Sequence, residues 1–384
     1  MQPQAITCVV TRLLLAVLVL CGLVFSAHAA GPLSGRFVVA VETKGHIYFY
    51  DIAADHKQVQ GFLPLDTVHE VRGVCASPAT GLLYIAYVGE KREGFVMAVD
   101  IRSRKLVWNK GYTQSVDRMT CTPDGKRLYV PSNEFLRTPN IMVVDGLTGQ
   151  SLQFITIPTR SHDALMNRAG TRVYVETKSS RMMQVIDVAT GQVSTIGPLV
   201  GIPGPFTFDV AETRLFANVF GLNGFQIVDI KTGASLEQVT IPGQPPGSGG
   251  PKGFLHNHGI GLTPAGNEIW VADGPGTGGS TVHVFDVTKS PATRVATVDV
   301  DVPCPHWLTF SIKGDFAYIA GPHRSQREKP EGSCQQIEGL PTAVVDTATR
   351  KVVGQIAASD GYVIEVVMDQ GRVVAVGDQY GVGR

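Results

Sequence analysis

Three histidines occupy similar surroundings along the chain and could together bind a metal ion. His162, His258 and His306 each lie twelve residues before the aromatic residue of a short apolar segment. Neutral imidazoles that converge on one point are good ligands for copper, zinc or iron. The sequence therefore predicts a candidate site for a divalent or copper ion at His162, His258 and His306.

Other polar residues at or near the same offset extend this candidate site. The offset itself also selects Arg72, Asp117, Gly204 and, by analogy, Tyr362. The candidate ligand-binding residues are Arg72, His69, His256, His323 and Tyr362. The acidic residues that could act as metal ligands or general bases are Asp117, Asp163, Glu176 and Asp273. Together these residues describe one polar region drawn from many parts of the chain.

An internal repeat explains why distant residues are equivalent. An aliphatic run that ends in aspartate recurs seven times, at Asp51, Asp100, Asp145, Asp187, Asp229, Asp286 and Asp346. Between successive copies lie an apolar run, a turn and a second apolar segment with a central aromatic, such as Tyr84 or Trp270. Each unit therefore reads as four short strands, which we name A to D, with the aromatic on strand B and the aspartate ending strand C.

Seven four-stranded units predict an all-β, seven-bladed β-propeller, because radial stacking buries both faces of every antiparallel sheet. The repeated aspartates are expected to bond turn amides, and the aromatics to pack between blades. N-terminal and C-terminal strands are expected to share the closing blade. Because residues 37–43 and 372–377 both resemble strand B, one of these segments is surplus or packs at an edge.

The repeat resembles that of the YVTN or YncE-like β-propellers, which are related in fold to the heavy chains of quinoprotein amine dehydrogenases. The segments that carry this resemblance are RLYVPSN…IMVVDGLTGQ, RVYVETK…MQVIDVATGQ and HGIGLTPAGNEIWVADG…VHVFDV. The resemblance spans essentially the whole chain after its first 30 residues. It implies the propeller fold and says little about activity.

Strand direction assigns the histidines to one face of this propeller. The D–A and B–C loops share one face, and most histidines map to them, whereas His56 and His283 do not. Three interpretations remain open for the equivalent histidines: a metal site, a substrate site without metal, or copies of a repeat consensus that cap turns or line the channel.

The chain begins with the features of a cleavable signal peptide. Arg12 precedes an apolar stretch at 13–25, and Ala27-His28-Ala29 supplies an A-x-A cleavage pattern. We therefore predict a signal peptide at residues 1–30 and a single propeller domain at residues 31–384, without a membrane span. This arrangement predicts a periplasmic or secreted location.

An oxidising compartment permits disulfide bonds between the remaining cysteines. Cys304 and Cys334 belong to the same repeat and form a candidate bridge. Cys75 and Cys121 lie on the A strands of neighbouring repeats, where a disulfide and two buried thiols are both compatible with the sequence.

The charge balance argues against some classes of binding partner, and two hypotheses of function remain open. The chain has 33 basic and 33 acidic residues, which argues against nucleic acid or an anionic membrane as partner. One hypothesis is a binding module that presents its His-rich loop face to a small molecule or a periplasmic protein. The alternative is a metal-dependent oxidoreductase, lyase or hydrolase that uses His-ligated copper, zinc or iron on a small molecule.

Overall fold

The computed structural model describes residues 33–132, 139–242, 257–273, 279–321, 340–357, 359 and 361–377. The first fifteen strands are β1 (Gly35–Val41), β2 (Ile47–Asp51), β3 (Lys57–Phe62), β4 (Glu70–Ser77), β5 (Leu82–Val88), β6 (Gly94–Asp100), β7 (Lys105–Tyr112), β8 (Thr120–Cys121), β9 (Arg127–Pro131), β10 (Asn140–Asp145), β11 (Ser151–Thr156), β12 (Ser161–Met166), β13 (Arg172–Thr177), β14 (Met183–Asp187) and β15 (Val193–Ile196). The others are β16 (Pro203–Phe208), β17 (Arg214–Val219), β18 (Gly224–Asp229), β19 (Ser235–Thr240), β20 (Asn257–Leu262), β21 (Glu268–Asp273), β22 (Thr281–Asp286), β23 (Thr293–Asp299), β24 (Trp307–Phe310), β25 (Phe316–Ala320), β26 (Thr342–Asp346), β27 (Lys351–Ile356), β28 (Val363–Asp369) and β29 (Arg372–Val376).

Helical structure is nearly absent from this part of the chain. A short 3-10 helix, Ile52–Ala54, follows β2. No helix within the described ranges is both long and apolar enough to cross a bilayer. The predicted signal peptide, residues 1–30, lies outside the described residues and stays a prediction.

Seven antiparallel sheets form the blades of a β-propeller, which confirms the predicted fold class. Blades 1 to 6 are β4–β7, β8–β11, β12–β15, β16–β19, β20–β23 and β24–β27. The first strand of each blade lies innermost, because first strands of neighbouring blades, such as β16 and β20, contact each other. Residues at equivalent places on these inner strands therefore surround one axis.

Blade 7 closes the propeller with strands from both ends of the described chain. The inner strand β28 pairs with β1, and β2 and β3 complete the blade. An additional strand, β29, pairs with the opposite edge of β28 and contacts β4 of blade 1. The surplus strand expected from the sequence is thus β29, packed at the inner edge of a five-stranded blade.

Arg36 on β1 strengthens this closure. Its guanidinium donates to Glu365 on β28 at 2.6 Å and to both carboxylate oxygens of Asp315, in the turn between β24 and β25, at 2.5 and 2.8 Å. Burial acts to raise the pKa of Asp315, but hydrogen bonds from Arg36 and Ser311 hold it at about 2. One side chain thereby joins β1, β28 and blade 6.

The strand-B aromatics pack between blades, as predicted. Trp270 of blade 5 belongs to one apolar cluster with Leu308 and Phe310 of blade 6, and Tyr174 of blade 3 packs with Phe206 of blade 4. Trp270 and Tyr174 are fully buried. Truncating a buried aromatic of this size costs about 3–5 kcal/mol. The core is therefore distributed over the interfaces between blades.

The repeated aspartates at the ends of the C strands bond the turns that follow. Asp145 Oδ1 accepts hydrogen bonds from the backbone N–H groups of Leu147 and Thr148 and from the Thr148 hydroxyl. The corresponding backbone contacts occur at Asp51, Asp100, Asp187, Asp229, Asp286 and Asp346. The predicted structural role of these aspartates is confirmed in all seven blades.

Candidate functional site at the channel mouth

The inner strands are irregular at the places where the sequence put its candidate residues. The pairing register shifts between Val71 and Gly73, between Ser161 and Ala164, and between Asn257 and Ile260. These shifts enclose Arg72, the pair His162-Asp163, and His258. A β-bulge of this kind leaves residues outside the ladder and redirects their side chains, often beside functional sites.

The three predicted metal ligands lie around one indole ring, that of Trp307. The ring centroids of His162, His258 and His306 lie 6.5, 4.4 and 5.6 Å from the Trp307 ring. The rings of His258 and His306 also lie against each other, with centroids 3.6 Å apart and planes tilted by 35°. The structure thus places histidines from blades 3, 5 and 6 around one ring, and their joint binding of a metal ion stays a prediction.

We use the name channel-mouth cluster for the side chains that meet here. Its members are Arg72, Asp117, Arg118, His162, Asp163, Glu176, Lys178, His258, His306, Trp307 and Tyr362. They come from blades 1, 2, 3, 5 and 6 and from the segment that leads into blade 7.

A chain of hydrogen bonds fixes the orientation of His162. Arg72 Nη2 donates to Asp117 Oδ1 at 2.7 Å, and Asp117 Oδ2 lies 2.9 Å from His162 Nδ1. Because an ionised carboxylate can accept but not donate, His162 carries its proton on Nδ1. A neutral His162 then keeps the lone pair of Nε2, which is the arrangement found in histidines that bind metals.

His258 is oriented in a comparable way by the backbone. Its Nδ1 lies 2.9 Å from the carbonyl oxygen of His306, so Nδ1 donates and Nε2 retains a lone pair. Burial, with the nearby charges of His306 and Lys178, lowers the pKa of His258 well below its ordinary value of 6.5. The ring is therefore neutral at physiological pH, and its Nε2 lone pair is available to a metal ion.

The potential ligand atoms converge most tightly at His162, Asp163 and Glu176. Among the described histidines, cysteines, aspartates and glutamates, these three form the group whose ligand atoms all lie within 4.8 Å of one another. All three residues are buried. His162 Nε2 and Asp163 Oδ1 are 3.8 Å apart. Two ligands bound to one tetrahedral zinc ion at about 2.1 Å are separated by about 3.4 Å.

The two carboxylates of this group differ in their partners. Within the described part of the chain, neither oxygen of Asp163 accepts a hydrogen bond, although Arg118 Nε lies 3.8 Å from Oδ1. Glu176 Oε1 lies 2.6 Å from Lys178 Nζ. Burial raises the pKa of Glu176 to about 8, against the opposing effect of the Lys178 ammonium group. A buried carboxylate without hydrogen-bond donors is costly unless a cation compensates it.

Arg118 and Trp307 form the apolar and cationic wall of the channel-mouth cluster. The Arg118 guanidinium carbon lies 3.2 Å from the centroid of the Trp307 ring and 5.0 Å from that of Tyr362. Arg118 is 1% exposed and Trp307 is 4% exposed. A guanidinium stacked on an indole gains both cation–π and packing energy when it is desolvated.

Some of the predicted residues lie elsewhere. Asp273 bonds within blade 5, where it accepts from the Thr281 hydroxyl and lies 3.1 Å from His283 Nε2. His69 precedes β4, and its carbonyl oxygen accepts from Lys44. His256 and His323 lie outside the described residues. Their predicted ligand-binding roles stay predictions.

Of the four cysteines considered, three lie within the described residues and one lies outside them. Cys75 and Cys121 are buried thiols on β4 and β8, and Cys121 Sγ lies 3.6 Å from the carbonyl oxygen of Ala76. Cys304 is buried, with a backbone N–H that donates to Gly279. Since Cys334 lies outside the described residues, the Cys304–Cys334 bridge stays a prediction.

Sequence reasoning missed Arg118, Lys178 and Trp307. Arg118 and Trp307 each directly follow a residue selected by the twelve-residue offset, at Asp117 and His306. Strict alternation along a strand sends consecutive side chains to opposite faces. Arg118 and Trp307 could have been found from their position at the start of inner strands. A β-bulge is common at such places, and there consecutive side chains need not point to opposite faces.

No protein-family model matches this chain, and no curated protein matches it by sequence. Solved structures do match it. The dihydro-heme d1 dehydrogenase NirN, in complex with DHE, has a TM-score of 0.58 and 14% identity over 90% of this chain and 71% of NirN. The hydrazine synthase of Kuenenia stuttgartiensis has a TM-score of 0.57 and 15% identity over 80% of this chain and 94% of its own.

A third similar structure is the β-propeller domain of Cps50 (Swd1) from Myceliophteria thermophila. Its TM-score is 0.55, with 10% identity over 79% of this chain and 94% of that domain. Identities at this level show a shared fold and nothing finer. The three structures therefore agree that this chain is a β-propeller, and its membership of the YVTN family stays a prediction.

Proposed function

We propose that this β-propeller binds a divalent cation at its channel mouth, through His162, Asp163 and Glu176. The observation that carries the proposal is the state of Asp163. This fully buried carboxylate accepts no hydrogen bond from the described residues, and it lies next to an imidazole whose other nitrogen is already held by Asp117. A divalent cation would satisfy the carboxylate oxygens and the Nε2 lone pair together.

The donor set favours particular ions. One imidazole and two carboxylates suit zinc, ferrous iron or manganese better than the soft cuprous ion. Three histidines alone would also have suited copper. Replacing two of them by carboxylates as ligands shifts the expected metal preference of the site toward harder ions. The three histidines predicted from the sequence are the alternative donor set. Their rings surround the same indole, but among the described residues they do not form a group whose ligand atoms all lie within 4.8 Å of one another.

The proposal is tested by zinc titration of metal-free protein in a calorimeter. We expect one ion per chain, and we expect Asp163→Asn and Glu176→Gln each to weaken binding by about tenfold or more. Asp273→Asn is the matched control, because it alters another buried aspartate that lies beside a histidine. Zinc affinity that is unchanged in both Asp163→Asn and Glu176→Gln would contradict the proposal.

His306→Ala distinguishes the two donor sets. If the cation is held by His162, Asp163 and Glu176, this substitution leaves the affinity within a few fold of the wild type. A loss of zinc binding in His306→Ala, with Glu176→Gln unaffected, would instead assign the ion to His162, His258 and His306.

A cation at this place would support either of two activities. As a binding module, the propeller would use the ion to hold a small molecule or a partner protein. As an enzyme, it would use the ion for oxidation, elimination or hydrolysis of a small substrate. The predicted signal peptide supports a role outside the cytoplasm, and secretion of a fusion that carries residues 1–30 tests that location.

A further inference from the structure

Apart from the histidines and Tyr362, seven described acidic and basic side chains lie in or beside the channel-mouth cluster. The acidic ones are Glu70, Asp117, Asp163 and Glu176, and the basic ones are Arg72, Arg118 and Lys178. Five of the seven are buried, and the side chains of Glu70 and Lys178 are 13% and 12% exposed. Binding of a cation through Asp163 and Glu176 requires both carboxylates to be ionised. With all seven side chains ionised, four negative and three positive charges leave one net negative charge on this described group.

A divalent cation reverses the sign of this balance. Two added positive charges turn the net charge of the group from minus one to plus one. Buried net charge is costly unless a counter-charge accompanies it. Three protein ligands also leave at least one coordination position on zinc, and more on iron or manganese. Counted over these described side chains, the loaded site therefore carries an excess positive charge, and the cation has a place for an additional ligand.

We propose that the cation-loaded channel-mouth cluster binds one small carboxylate monoanion, which coordinates the cation and bonds the Arg118 guanidinium. This inference rests on the proposed cation site. Arg118 stacks its face on Trp307 at 3.2 Å, so its hydrogen bonding is confined to the guanidinium plane. Its Nε lies 3.8 Å from Asp163, a proposed cation ligand. A carboxylate has one oxygen to bind the cation and a second to accept from this planar donor.

The test uses cobalt as a spectroscopic substitute for the cation and acetate as the anion. Metal-free mature protein is first loaded with one equivalent of cobalt, and acetate is then titrated at constant ionic strength. Acetate is expected to change the visible cobalt absorption in a saturable way and to alter the fluorescence of Trp307. Acetamide has nearly the same shape without the charge and is expected to cause no change. Wild-type emission is compared with that of Trp307→Phe to assign the fluorescence change.

Two variants locate the anion. Lys178→Gln removes a cation beside Glu176 and is expected to weaken acetate binding by about fivefold through the lost charge. Arg118→Gln is expected to weaken it by about tenfold or more. Lys126→Gln is the control, since Lys126 is 72% exposed in the turn between β8 and β9, at the other end of the inner strands.

The possible results separate this inference from the function on which it rests. Failure to bind cobalt overturns both. Cobalt binding with no saturable response to acetate overturns only the anion site. Equal responses to acetate and acetamide, or equal acetate affinity with and without cobalt, also overturn it. A cobalt-dependent response that is weakened in Lys178→Gln and retained in Lys126→Gln supports the assignment, even if Arg118→Gln does not fold.

Discussion

The C–D turns and the channel mouth both consist of residues at equivalent places in the blades, and they differ in what those residues do. At the turns, seven aspartates make the same local bonds, as Asp145 does with Leu147 and Thr148. At the mouth, the equivalent places hold residues of several types, and many of them contact another blade. Asp117 of blade 2, for example, joins Arg72 of blade 1 to His162 of blade 3.

This difference distinguishes residues that maintain the repeated fold from residues that could form a functional site. A residue kept in every blade serves a requirement that every blade shares, here the closing of a turn. Residues that vary at one ring of positions build a single asymmetric group. Carboxylates in the two regions should therefore differ in how much stability is lost on substitution and in the direction in which their contribution changes with pH.

The largest expected effect concerns Glu176 and pH. Its folded pKa of about 8 exceeds its ordinary value of 4.5, so the folded protein binds more protons and loses stability as pH rises between these values. At about 1.4 kcal/mol per pKa unit, Glu176→Gln should raise the free energy of unfolding at pH 8.5 by on the order of 4 kcal/mol, relative to its effect at pH 4. Urea unfolding in EDTA at both pH values measures this, and equal effects would contradict it.

The next effect is the removal of the shared carboxylate of the mouth. Asp117→Ala removes the acceptor of the Arg72 Nη2 hydrogen bond and of the His162 Nδ1–H, while Arg72 keeps its bond to Glu70. We expect a loss of about 3–5 kcal/mol in the free energy of unfolding, as for other broken buried ion pairs. The measurement is the urea midpoint at pH 7, and a loss below about 1 kcal/mol would show that the mouth is as tolerant as a turn.

Removal of a turn aspartate should have a smaller effect. Asp145→Ala removes bonds to two backbone amides and one hydroxyl, but these groups can bond water instead. We expect a loss of about 1 kcal/mol. The same urea experiment checks it beside Asp117→Ala. Comparable losses in the two variants would remove the distinction between turns and mouth.

The smallest expected effect concerns the turn residue Asp187, whose contribution to stability should depend on pH in the opposite direction to that of Glu176. Hydrogen bonds from the hydroxyl and backbone of Thr190 lower the pKa of Asp187 below its ordinary value of 3.8. Its contribution to stability is therefore fully present above that pH and is lost as pH falls through the folded pKa. We expect the difference in thermal midpoint between Asp187→Ala and wild type to shrink below pH 3.8. A difference that grew in acid would contradict the assignment.

The fold could be predicted from the sequence because its evidence is local and repeated seven times. Each aspartate-ended strand and each aromatic strand can be recognised from about ten consecutive residues. The recurrence of the same pattern supports each assignment. Closure was less visible, since β29 has the sequence of a strand B and yet lies at the inner edge of β28. Pairing between chain ends depends on long-range register, which no local pattern specifies.

The sequence by itself determined the propeller, the roles of its repeated residues and the ring of positions where chemistry could occur. Only the tertiary structure decided which ring residues meet. It placed Asp163 and Glu176 with His162, moved Asp273 to a separate contact with His283, and brought Arg118 onto Trp307. The physical reason is that bulges at the inner strands break strict alternation, so side-chain direction there is fixed by packing across blades rather than by spacing.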